Sequence, residues 1–310
     1  MRYFFLFIFL LFIFSCKHKE NVENVQASQT FSSNFKDQIS NADADESIDI
    51  ILIGDWGKSS TALPLISEQM GFVANYLAVD FICTLGDNFY ESGVSSVDDP
   101  VWNVYHDNFN QASLQIPWYV SLGNHDHYGN VQAQVDFTEL DSRWYLPTQF
   151  YAEHFPIPGG SDSLGLLAID SHILKDDPQE MGQIDFIDDF LENDQSKWKI
   201  IIGHHPLYSY GHHGENASLK GTLENRLYEN EIDMYVSGHD HDMQHIKTNG
   251  YTHFFISGSA AKLRPTNTGE HSLYSNSEYG FMLIRLSNSV LKSYFIDING
   301  DVVYSYQIEK

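Results

Sequence analysis

The chain has 310 residues, 42% of them hydrophobic and 14% aromatic, with a formal net charge of -25. That length supports a sizeable core in one large domain or two small ones. The charge excludes a nucleic-acid partner, whose phosphate backbone would be repelled over most of the surface, and it requires any site for an anionic substrate to carry strong local positive charge, for which metal ions are the obvious source.

Arg2 followed by the apolar run Tyr3 to Phe14 is too short to span a bilayer and has the length of a signal h-region. Ile13-Phe14-Ser15-Cys16 resembles the end of a bacterial lipoprotein signal, with Cys16 as the lipidated N-terminus. Residues 1–16 are therefore expected to direct export, giving a periplasmic or cell-surface lipoprotein, or a secreted protein if Cys16 is incidental. The chain is expected to be a monomer that meets a membrane only through this lipid. Residues 17–46 are polar, lack helical or strand period, and read as a flexible linker. No second linker follows, so residues 47–310 are read as one domain.

Ile48 to Ile53 is a short apolar strand ending in Gly54-Asp55-Trp56-Gly57, and Thr61 to Leu77 reads as a helix. Phe81 to Leu85 is the second strand; its Cys83 reads as a core thiol, and Gly86-Asp87-Asn88-Phe89-Tyr90 follows. Asp87 and Tyr90, three apart, can face one point in a tight turn. Pro117 to Leu122 is the third strand, followed by Gly123-Asn124-His125-Asp126-His127. An aromatic-rich connection from Gly129 to Phe155 reads as core packing. The fourth strand, Gly165 to Ile169, ends in Asp170, read as a turn residue. Met181 to Leu191 is an amphipathic helix. Lys199 to Ile202 is the fifth strand and ends in Gly203-His204-His205-Pro206, with His212-His213 close behind. A helix over Leu219 to Tyr228 and the strand Met234-Tyr235-Val236 lead to Ser237-Gly238-His239-Asp240-His241. Thr252 to Ile256, Phe281 to Leu286, Leu291 to Ile298 and Val302 to Ile308 read as strands, with a hairpin at Asn299-Gly300-Asp301. A repeated β-α-β order followed by a run of strands predicts an α/β domain of two packed mixed sheets flanked by helices.

Five strands thus end in glycine followed by a side chain able to bind metal: Asp55, Asp87, Asn124, His204 and His239. Sites in open α/β sheets form beyond the carboxyl ends of strands. With Tyr90 and His241 the donors number seven, too many for one ion, and a shared carboxylate would link two metals about 3.5–4 Å apart.

These stretches, together with Pro117-Trp118-Tyr119-Val120, resemble the metallophosphoesterases over about Ile50 to Ser259, and within them the small, tartrate-resistant purple acid phosphatases. Gly57 stands where most relatives carry a metal-binding histidine, and Tyr90 stands where relatives lack a ligand. The resemblance implies a four-layer sandwich fold and a tyrosinate bound to iron(III). Asp55, Asp87, Tyr90 and His241 would hold iron(III); Asn124, His204 and His239 would hold a divalent Fe, Zn or Mn ion; Asp87 would bridge them. His239 and His241 would then serve different ions. The implied activity is acid hydrolysis of small phosphate monoesters by in-line attack of a metal-bound hydroxide. His125 and His213 match the family's histidines that bind substrate oxygens and protonate the leaving alcohol, His213 being preferred to His212 by its spacing from His204. His127, His205 and His245 are read as bystanders or rim residues. Residues 171–182 form a shorter connection than the loop that restrains the animal enzymes until cut, so no proteolytic activation is expected. The competing expectations are a phosphodiesterase or nucleotide hydrolase on the same fold, and a metal-binding surface lipoprotein without turnover.

Overall fold

The computed structural model describes residues 33–41 and 46–310. The expected signal and lipid attachment lie outside them. Among the described residues no helix is long and apolar enough to cross a membrane.

Among the described residues fourteen strands form two sheets of seven. In chain order they are β1 (Ile48–Ile53), β2 (Phe81–Leu85), β3 (Trp118–Ser121), β4 (Trp144–Tyr145), β5 (Tyr151–Pro156), β6 (Ser163–Ala168) and β7 (Trp198–Ile202). β8 (Met234–Ser237), β9 (Met243–Ile246), β10 (His253–Ser257), β11 (Ser272–Asn276), β12 (Gly280–Leu286), β13 (Val290–Asp297) and β14 (Val302–Glu309) complete the set. The first sheet runs β14-β13-β12-β1-β2-β3-β4 and the second β11-β9-β10-β8-β7-β6-β5. β1, β2 and β3 are parallel neighbours, as are β6, β7 and β8, and antiparallel strands extend both sheets. The expected α/β architecture of two packed mixed sheets with flanking helices is the one observed.

The alternation along strands of the second sheet shows how the layers are built. Ile200, Ile202, Met234, Val236 and Phe255 belong to the core shared with the first sheet. Their chain neighbours Ile201, Tyr235 and Phe254 join a separate core with Leu219, Leu223 and Leu227 of the helix Ala217–Glu229 and Ile184 and Ile187 of the helix Met181–Asn193. Period-two side-chain placement thus gives the sheet two apolar faces, one for its partner sheet and one for helices. On the first sheet, Ile66, Met70, Val73 and Leu77 of the helix Leu63–Leu77 are buried in the shared core.

Two departures from the sequence reading have clear causes. Residues 33–41 do not behave as linker: Ser33–Gln38 is helical, and Phe35 and Ile39 are buried against the domain. Phe35 meets Phe72 and Tyr76 edge-on at 5.8 Å each, so an apolar pair four apart docks an otherwise polar segment. The strands β4 and β5 fall on the stretch read as an aromatic-rich connection, and β9 and β11 on stretches given no strand in the sequence reading. They are short or at sheet edges, where alternation is weak. Cys83 is buried and its thiol is pushed far up by burial, as a core cysteine should be.

Candidate metal centre

The carboxyl ends of β1, β2 and β3 meet those of β7 and β8 across the junction of the two sheets. Each of these strands delivers one predicted donor: Asp55, Asp87, Asn124, His204 and His239. Asp55, Asp87 and His239 have φ of 57°, 52° and 70°, a left-handed conformation rare outside glycine and concentrated at functional sites. The preceding glycines allow close approach. A Cβ on Gly238 would lie 2.4 Å from Asp55 Oδ2 and 2.9 Å from the Leu85 carbonyl oxygen. Gly57 has the same role one loop away: a Cβ there would fall 2.2 Å from the Asn88 oxygen. The Gly57 amide donates to the Asp87 carbonyl and its own carbonyl accepts from the Tyr90 amide, both at 3.2 Å. That clasp sets Tyr90 over the carboxylates.

The donors fall into two groups that share Asp87. In one, the Tyr90 hydroxyl lies 3.0 Å from Asp55 Oδ1 and 2.9 Å from Asp87 Oδ2, and His241 Nε2 is 3.5 Å from Asp55 Oδ1. In the other, His204 Nε2 is 3.2 Å from Asn124 Oδ1, 3.1 Å from His239 Nδ1 and 3.5 Å from Asp87 Oδ1. The structure therefore brings all seven predicted donors together. His205, read as a bystander, also offers a nitrogen within 4.8 Å of the His204 and His239 nitrogens.

The electrostatics identify what such a set needs. Burial and the neighbouring Asp87 hold the Asp55 carboxyl well above the usual range. Burial, then Asp55 and Asp87, push the Tyr90 phenol up. Burial and His204 hold His239 well below the ordinary histidine value, and burial followed by Arg264 holds His241 at about 3. Crowded, buried oxygen donors beside His239 and His241, whose imidazoles burial keeps from protonating, are a site for cations, and the residues present fit two ions. The oxygen-rich group suits a harder ion and the imidazole-amide group a divalent one.

Surrounding contacts fix the donors. His204 Nδ1 donates to the Leu85 carbonyl at 2.9 Å, leaving Nε2 for the site. The Asp55 Oδ2 atom accepts from the His239 amide at 2.8 Å. Two carboxylates that resemble ligands in the sequence do structural work instead. Asp126 is fully buried and accepts from the amides of Asn88, Phe89 and Gly123 and from Gln134, which locks the β2 and β3 turns together. Asp240 accepts from the His213 amide at 2.8 Å and from the Ser209 hydroxyl. Asp170 caps the helix Ser171–Asp176 and also meets His127 Nε2 at 2.8 Å, so His127 has a partner outside the donor set.

Both predicted acid–base histidines stand at the mouth. His125 Nδ1 contacts the Glu91 carbonyl at 2.6 Å, and its Nε2 is 4.0 Å from Asp87 Oδ2. The His213 ring lies 4.1 Å from that of His239. A cavity of about 360 Å³ opens beside Asn124, His213 and His239, walled by Tyr128, His172, Lys175 and His205. His205 belongs to the Gly203-His204-His205-Pro206 stretch and was read as a possible rim residue, whereas Tyr128 and the pair His172 and Lys175, which share the helix Ser171–Asp176, carry no motif and are revealed only by the fold.

Strand-end donors of this composition over paired sheets define a metal-dependent phosphoesterase, and the chain belongs to the calcineurin-like phosphoesterase family, whose model matches residues 48–243. Within it, the chain is similar to purple acid phosphatase 7 of Arabidopsis thaliana, 31% identical over 86% of this chain and 88% of the relative. It is 28% identical to tartrate-resistant acid phosphatase type 5 of Oryctolagus cuniculus, covering 84% of this chain and 90% of that one. Among solved structures it is similar to GAP50, the anchor in the inner membrane complex of Plasmodium, with a TM-score of 0.77 and 25% identity over 85% of this chain and 89% of that one.

Proposed function

We propose that the protein is a binuclear-metal acid phosphatase acting on small phosphate monoesters. The observation that carries this reading is the position of Asp87, with one oxygen toward Tyr90 and the other toward His204. Asp55, Tyr90 and His241 would hold iron(III), and Asn124, His204 and His239 a divalent Fe, Zn or Mn ion, with Asp87 common to both. When bound, such a pair supplies the positive charge that phosphoryl oxygens require and activates water as the nucleophile.

The chain's own groups do the rest. The contact from His125 Nδ1 to the Glu91 carbonyl leaves Nε2 on the Asp87 side, 4.0 Å from Asp87 Oδ2, where it can carry a proton to the leaving oxygen. His213, held through its amide by Asp240, lines the cavity beside the His239 donor group. Asp126 keeps the turns bearing Asp87 and His125 in register, so that the proton donor and the shared carboxylate approach the phosphoryl group together. Export and lipid attachment through residues 1–16, a monomeric state and activity without proteolytic cutting complete the reading, on the strength of the sequence.

The complete donor set with two histidines at its mouth favours turnover over a purely anchoring role of the kind named for GAP50. The test is hydrolysis of p-nitrophenyl phosphate by purified protein, with metal analysis and an absorption spectrum. Monoester turnover at acid pH, with a visible band lost in Tyr90→Phe, supports both the activity and the iron assignment. Two bound zinc or manganese ions without a band retain the activity and remove the iron. Full metal occupancy without hydrolysis of any monoester would overturn the activity.

A further inference from the structure

Four arginines lie among the described residues, and three have a carboxylate partner: Arg143 with Asp141, Arg226 with Asp188 and Arg285 with Asp49. Arg264 is the exception. Among the described residues no carboxylate lies within ion-pair distance of it, in a chain with 42 acidic residues. Its Nη1 instead lies 2.6 Å from Nε2 of His213. A guanidinium only donates, so the imidazole nitrogen accepts. Two groups that both suit an anion thus face each other at the rim of the metal centre, where His213 already lies 4.1 Å from the His239 ring.

The placement is built into the fold. Arg264 sits on the segment between β10 and β11, and its amide donates to the His241 carbonyl at 3.0 Å. Its carbonyl accepts from the Ser277 hydroxyl at 2.7 Å. The residue is therefore pinned to the same turn that carries His239 and His241, while Asp240 of that turn holds His213 by its amide. One four-residue stretch fixes two donors and the two residues that present positive charge or a proton beside them.

The geometry points to Arg264 as the residue that selects a phosphate monoester over a diester, by exchanging its contact with His213 for the substrate's terminal phosphoryl oxygens. This rests on the proposed phosphatase reading and names what its site prefers. A monoester has one more charged, non-bridging oxygen than a diester, and a guanidinium fork binds paired phosphoryl oxygens in a way that an ammonium cannot copy. A diester places a carbon substituent on that oxygen and offers the fork less. Transfer of the guanidinium to substrate also releases His213 Nε2 from a donor, which frees that nitrogen to take up a proton from solvent before it meets the leaving oxygen.

The experiment uses the metal-loaded full chain and compares wild type with Arg264→Met and Arg264→Lys. Metal content is measured on each. For p-nitrophenyl phosphate, Arg264→Met is expected to lower kcat/KM about tenfold to a hundredfold, chiefly through KM, the loss expected for a charge-assisted hydrogen bond. Bis(p-nitrophenyl) phosphate should change by about twofold or less, and Arg264→Lys should recover part of the monoester loss. Inorganic phosphate binding, read by calorimetry, should weaken with the monoester KM. Equal losses on both esters, or unchanged phosphate binding in Arg264→Met, would overturn the assignment. If wild type binds phosphate but turns over no monoester, the phosphatase reading fails, and the calorimetric comparison still decides the role of Arg264.

Discussion

The segment from Gly238 to His253 carries two buried histidine clusters that differ in almost every other respect. In the first, His239 and His241 leave β8 in a turn and meet oxygen donors, with His241 3.5 Å from Asp55 and His239 beside His204. In the second, His245 of β9 and His253 of β10 point out of adjacent strands. His245 Nε2 lies 2.9 Å from His253 Nδ1, its Nδ1 lies 2.8 Å from the Tyr304 hydroxyl, and its ring stacks on Phe255 at 3.9 Å. Both clusters are desolvated enough to keep their imidazoles neutral. Burial and imidazole number therefore do not separate a metal site from a core pair. What separates them is the partner: carboxylates, phenol and amide converge on the first, whereas the second satisfies itself. His245, read from the sequence as a bystander or rim residue, is a core residue.

The sharpest way to break this comparison is Asp87→Asn, which keeps the shape and removes the charge shared by both donor groups. Activity should fall by at least about a thousandfold, with loss of metal measured by elemental analysis. Unfolding of the metal-free protein should occur at an equal or higher temperature, because one of two mutually repelling buried carboxylates has gone. A large drop in metal-free stability would mean that Asp87 is structural, like the histidine pair.

The next effect is smaller and separates chemistry from metal retention. His125→Ala should keep both metals and lose about a hundredfold or more in kcat, the usual worth of a positioned proton donor. Loss of metal in this variant would move His125 into the donor set.

Much of this contrast was legible in the chain. Glycine-then-donor at five strand ends was visible because strand period and turn chemistry are local, and Tyr90 was visible because a turn brings positions three apart together. Asp126 and Asp240 were left out of the donor set, but what they do was not legible, since each sits between histidines in the sequence. Only the direction of the turn shows that they receive backbone amides. Arg264 had no local signal, because its meaning comes from a contact with a residue 51 positions away. Phe35 and Ile39 were masked by polar neighbours; docking an isolated apolar pair depends on the far surface that receives it.

The smallest predicted effect tests the second cluster through pH. Burial, followed by Lys247, lowers His253 to about 4, and burial with His253 lowers His245 to about 2, from an ordinary 6.5. Above pH 6.5 these histidines are neutral in both folded and unfolded chains and contribute no pH dependence. As pH falls from 6.5 toward 4, the unfolded chain takes up protons that the folded chain refuses, so stability is lost across that window. The slope is at most about 1.4 kcal/mol per pH unit for each histidine. In His253→Gln the amide can still hydrogen-bond to His245, but one titrating group has been removed. Unfolding by urea at pH 7 and pH 5 should therefore show a smaller acid loss in the variant than in wild type, with monoester turnover little changed. An unchanged acid loss would show that His253 is protonated in the folded protein, and a collapse of turnover would tie this pair to the metal centre after all.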